Sequence, residues 1–183
     1  EDTADTSDTS LLKQKCVAFT HFSDGRMIRL FKNNSKYRFR YPVFETVEDA
    51  LVAQGATFAS ADIVLHCFPS ETPEQERVKK RLFLSILEKH SVRTPKDPKL
   101  LFDRASLHEA LGEEEQALLL YHSAVEADHV AKKNPDLLSK NTSLFYRIAS
   151  LYLKKGDREK AATWMLKSTE ANPGFRSGYV ALA

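Results

Sequence analysis

The chain predicts an α+β fold: a small β-sheet with short helices over residues 11–94, followed by an α-helical array of helix-turn-helix pairs over residues 95–183. Two observations carry this. In the C-terminal half, apolar residues recur at helical spacing on either side of a glycine, and the pattern repeats. In the N-terminal half, short apolar or β-branched runs are separated by turn dipeptides, and one run alternates at period two.

The elements follow in order. Residues 1–10, with Asp2-Thr3-Ala4-Asp5-Thr6-Ser7-Asp8-Thr9, offer side chains that compete for the backbone and bury nothing, so a disordered acidic tail is expected. Lys15 to Phe19 and Met27 to Phe31 read as strands, joined by the turn Ser23-Asp24-Gly25. After a second turn at Asn33-Asn34-Ser35, Tyr37 and Phe39 alternate with Lys36, Arg38 and Arg40, which predicts a strand with one core face and one basic face. Thr46 followed by Asp49 resembles a capping box, and Gly55 a stop, so a short helix is expected from Thr46 to Gln54. Thr57 to Phe68 reads as a further strand. A longer helix starts at Pro73, with Thr72 as cap and Gln75 reaching back, and runs to about Lys89 with Val78, Leu82 and Ile86 on its packing face. Thr94-Pro95-Lys96-Asp97-Pro98 ends that pattern.

The repeats come next. Phe145-x-x-Ile148-Ala149-x-x-Tyr152, Gly156, Ala161-x-x-x-Met165 and Pro173 place large, small and breaker residues where the tetratricopeptide signature wants them. Tyr179-x-x-Leu182-Ala183 reopens the pattern 34 residues after Phe145, the period of that repeat. A weaker copy comprises Leu101-x-x-Arg104-Ala105-x-x-His108, Gly112 and Ala117-x-x-x-Tyr121. It lies 44 residues before the first, so ten additional residues, around His129 to Lys140, are assigned to a lengthened second helix and a loop.

Composition narrows the function. With 42% hydrophobic and 28% charged residues the chain can build a core, and a net charge of +2 does not indicate a polyanionic partner. No stretch approaches the ~20 apolar residues needed to span a bilayer. The acidic opening is unlike a signal peptide, and Cys16 and Cys67 imply no disulfide framework, so a cytoplasmic, reducing location is expected. His21, His66, His90, His108, His122 and His129 show no metal-ligand spacing, so no metal and no cofactor are expected.

Residues from Arg26 onward also resemble the C-terminal part of bacterial family-two glycosyltransferases that carry tetratricopeptide repeats. The resemblance runs through Arg26-Met27-Ile28-Arg29-Leu30-Phe31-Lys32-Asn33, Tyr37-Arg38-Phe39, Glu45 and Asp62-Ile63-Val64-Leu65-His66, then Leu100-Leu101-Phe102. It implies a sugar-nucleotide donor and a divalent metal if the nucleotide-binding half with its D-x-D motif is present. Phe44 stands where the family has a metal-holding His, and Phe has no lone pair to offer. Glu45 would then be a vestigial catalytic or acceptor-binding carboxylate, or simply an acid favoured at the positive end of a helix. By itself the chain is expected not to transfer sugar.

The reading favoured from sequence is thus a non-catalytic interaction module. Leu101, Ala105, Ala117, Tyr121, Phe145, Ile148, Ala149, Tyr152, Ala161 and Met165 should be core, because the signature is a packing code. Lys99, Phe102, Ser106 and Glu109 on one first helix, and Ser143, Tyr146, Ser150 and Lys154 on the next, should face a groove that holds a protein or peptide partner or a neighbouring domain. Phe102 and Tyr146 are the expected anchors. The unfinished pattern at Tyr179 suggests self-association as another use. The basic row Lys36, Arg38 and Arg40, with Arg26 and Arg29, is expected to be solvated rather than to bind nucleic acid.

Overall fold

The computed structural model describes residues 30–59, 72–131 and 137–174. Among them lie six helices: α1 Glu48–Ala53, α2 Pro73–Ser91, α3 Pro98–Ala110, α4 Glu114–Ala131, α5 Leu137–Lys154 and α6 Arg158–Ala171. The chain divides into two compact units, Glu1–Tyr37 and Arg38–Ala183. In the first, the expected turn is present: Tyr37 N–H donates to the Asn34 carbonyl at 3.0 Å, and the Asn34 side chain accepts from Lys36 N–H at 3.0 Å.

The expected β-sheet is overturned. No strand occurs among the described residues; the one isolated bridge pairs Arg40 with Thr46. Alternation makes a strand only where a neighbouring strand satisfies the backbone and a core receives one face. Here Phe39, on the supposed core face, is 59% exposed, and Arg38 and Arg40 on the other face are exposed too. The expected strands at Lys15 to Phe19 and through most of Met27 to Phe31 and Thr57 to Phe68 lie outside the described residues.

The first short helix is also shorter than the sequence implied. Thr46 gives both backbone groups to the bridge with Arg40, at 2.9 and 3.1 Å, and Val47 takes the N-cap position instead. The helix starts at Glu48 behind Val47, whose N–H donates to the Glu48 carboxylate at 2.9 Å. Its stop is as expected. Gly55 (φ +71°) donates to the Val52 carbonyl and Ala56 N–H to that of Leu51, the paired bonds of a Schellman ending.

Helix α2 has the expected capping box, with Gln75 N–H donating to Thr72 Oγ1 at 3.2 Å and Thr72 N–H to Gln75 Oε1 at 3.1 Å. Its packing face is only partly the expected one: Ile86 packs against the core. Val78 and Leu82 are 60% and 56% exposed, whereas Leu84, Leu87 and Ser91 are buried. Both stripes have helical spacing, so periodicity alone could not choose between them.

Two antiparallel hairpins, α3–α4 and α5–α6, form the rest. Each turns on a glycine with a Schellman ending: Gly112 (φ +81°) donates to Glu109 and Glu113 to His108, and Gly156 (φ +79°) donates to Leu153 and Asp157 to Tyr152. Asp157 then caps α6 by accepting from Lys160 N–H at 3.1 Å. Leu101, Ala105, Ala117, Tyr121, Ile148, Ala149, Ala161 and Met165 are all buried as the packing code requires, and Phe145 and Tyr152 are half-buried. One core cluster joins Leu101, Ala105, Ala117, Leu118 and Tyr121 to Leu144, Ile148 and Leu151 across the two hairpins. A second joins Val43, Leu84 and Leu87 to Leu100 and Leu107. The ten additional residues lengthen helices on both sides: α4 and α5 each have 18 residues, against 14 for α6 and 13 for α3.

Candidate functional site: a concave groove between the first helices

Stacking α3 beside α5 brings four of the expected groove residues together. Glu109, Ser143, Tyr146 and Ser150, with Arg147, line an open hollow of ≈ 320 Å³. A polar chain fixes its floor. Glu109 Oε2 accepts from the Tyr121 hydroxyl at 2.7 Å and from Arg147 Nη1 at 3.1 Å, so one carboxylate ties α3 to α4 and to α5. Ser106 Oγ lies 3.1 Å from the same hydroxyl. Burial, with the Glu109 charge adding to it, pushes the Tyr121 phenol far above its ordinary value, although the Ser106 bond opposes this. The hydroxyl therefore stays protonated and donates.

The other expected groove residues are placed differently. Phe102 is half-buried against the core, its ring 5.6 Å from that of Tyr121. Lys99 sits over the Tyr41 ring at 4.7 Å and pairs with Asp103 at 2.5 Å. Burial raises the Asp103 carboxyl above its usual range, and the Lys99 ammonium opposes that shift. Lys154 reaches Glu114 at 3.5 Å. Glu45 is exposed in the segment between Phe44 and the Arg40–Thr46 bridge, away from the groove lining.

Sequence reasoning missed Arg147, which fell between the apolar positions of the signature and had no visible partner until α3 came alongside. It also missed the junction between the hairpins, where His122 lies 5.1 Å from Trp164 and 6.1 Å from Tyr152 ring to ring, and Phe145 lies 5.8 Å from Trp164. His122 Nε2 and Tyr152 Oη are 3.1 Å apart.

A second, more polar hollow of ≈ 780 Å³ is lined by Glu88 of α2, Arg104 and His108 of α3, the α3–α4 turn and Lys155. Ion pairs and a hydrogen bond already engage its walls: Glu113 pairs with Arg81 and lies 2.6 Å from His108 Nδ1, while Glu115 holds Lys155 at 3.5 Å. Arg104, at a repeat position that is normally apolar, has its buried Nε without a hydrogen-bond partner among the described residues. No group of His, Cys, Asp and Glu able to hold a metal ion occurs among the described residues, and no described helix is long and apolar enough to cross a membrane.

Comparison with known proteins agrees with the hairpin geometry. No curated protein matches the chain significantly. A solved structure titled as the crystal structure of MamA aligns at 15% identity over 63% of this chain and 82% of that one, with a TM-score of 0.28, a likeness too weak to carry an argument. No match supports the glycosyltransferase resemblance. The family model described as tetratricopeptide repeat matches residues 142–175, which take in α6 and most of α5.

Proposed function

We propose that the chain is a protein-interaction module that holds an extended peptide or a partner's segment in the groove between α3 and α5. The observation that carries this is the convergence of Glu109, Ser143, Tyr146 and Ser150, chosen from sequence as groove residues, on one open hollow. Helix pairs stacked side by side present a continuous concave surface rather than a reaction centre. The lining suits peptide: hydroxyls offer hydrogen bonds to a backbone, Tyr146 offers an aromatic wall, and the Glu109–Arg147 pair fixes the floor.

The test is to select peptides on the full chain from a random display library and measure their affinity. Tyr146→Ala should weaken a selected peptide about tenfold or more, as loss of an aromatic anchor does, with the helical circular dichroism unchanged. Peptides that bind the variant as well as the parent would overturn the groove assignment. The alternative, part of an active sugar-nucleotide transferase, rests on sequence resemblance alone. Metal-dependent heat of binding for a sugar nucleotide would favour it.

A further inference from the structure

Helix α2 was read from sequence as part of an α/β segment, but its buried residues keep time with the repeats. Leu84 and Leu87 lie 34 residues before Leu118 and Tyr121, and Phe83 lies 34 before Ala117, the interval of the tetratricopeptide period. In the α3–α4 hairpin, the Ala117–Tyr121 row faces the hairpin's own first helix, packing with Leu101, Ala105 and Phe102. Leu118 belongs to the same cluster, which also holds Leu144 and Ile148 of the next hairpin. Helix α2 behaves alike on one side: Leu84 and Leu87 share a cluster with Leu100 and Leu107 of α3.

On the other side the equivalence breaks. The turn glycine, Gly112, maps 34 residues back to Val78, in the interior of α2, so no hairpin turn divides the helix there. The row that would meet a first helix, Phe83 and Leu87, meets a bent segment instead. Val43 is buried in the cluster with Leu87, Tyr41 packs against it, and the Phe44 ring stands edge-on to Phe83 at 5.8 Å. The bend is held at both ends. Arg40 and Thr46 exchange two backbone hydrogen bonds, Arg40 pairs with Asp49 at 3.2 Å, and the Tyr41 hydroxyl donates to the α3 cap Asp97 at 3.4 Å. Tyr41 and Phe44 have φ of +71° and +52°, a region that bulky side chains rarely adopt and that persists only where surrounding contacts enforce it.

We propose that α2 packs as the second helix of a repeat, and that residues 40–46 form a built-in strap against the row where a first helix would pack. The strap buries the apolar row of Phe83 and Leu87, as the first helix of a stacked pair would.

Hydrogen exchange on the full chain tests this. Val43→Asp should raise exchange in α2 about tenfold or more while α5 and α6 keep their protection, since opening is local when one unit loses its cover. Tyr41→Ala, a milder change, should open the same region to a smaller extent. Val78→Asp, on the exposed face of α2, should change nothing. The proposal fails if α2 stays protected in both strap variants, if Tyr41→Ala opens α5 and α6 as much as α2, or if Val78→Asp opens α2 as much as Val43→Asp does.

Discussion

At Gly156 the backbone takes φ +79°, and a Cβ built there would meet no atom within 4 Å. Space is therefore not what selects glycine; the left-handed backbone is. Gly156→Ala should destabilise the protein by about 1 kcal/mol, read as a lowered urea midpoint with an unchanged slope. Gly112 obeys the same logic, and both were legible from sequence because a Schellman ending is a local event set by a few consecutive residues. Thr46 shows where that locality ends. Its spacing to Asp49 matched a cap, yet its backbone was taken by Arg40 six residues earlier, a competitor that no window on the helix contains.

Between elements, what matters is which stripe of a helix finds a partner. Helix α2 has two candidate stripes, and the buried one is that of Leu84 and Leu87 because Val43, Leu100 and Leu107 come to meet it. The groove illustrates the same point with polar groups. The sequence places Glu109 on the groove face of α3; only the approach of α4 and α5 supplies its partners Tyr121 and Arg147. Glu109→Ala should cost about 1–3 kcal/mol, because it leaves the Tyr121 hydroxyl buried and short of a partner. Glu109→Gln, which can still accept from Tyr121, should cost less. Chemical denaturation of both variants beside the parent checks the order; equal losses would show that the Tyr121 bond is not what Glu109 contributes.

For the molecule as a whole, stability depends on how well the two hairpins couple, as in any array whose units touch only their neighbours. The junction contains a titrating group. Burial among Tyr152 and Trp164 lowers the His122 pKa, Lys167 lowers it further, and Glu126 pulls the other way. The folded state therefore resists a proton that the unfolded chain accepts, so this contribution is present above the unfolded pKa of 6.5 and is lost as pH falls below it. The melting temperature should drop between pH 7.5 and 5.5, and His122→Phe should flatten that part of the profile. A variant as pH-sensitive as the parent would place the sensitivity in other groups.

The sequence by itself determined the helices after residue 95, their glycine turns and most of their core, because a repeat writes its packing into a period of 34 residues that one chain can be read against. Tertiary structure decided the rest. Strand-like alternation at Tyr37 to Arg40 came to nothing without a neighbouring strand, and α2 joined the repeats through residues that only a stacked α3 and a folded-back Val43 could select. Local conformation follows from neighbours in the chain. Burial follows from what arrives across space, and a segment whose backbone and apolar face can be satisfied in two ways takes the one its distant partners offer.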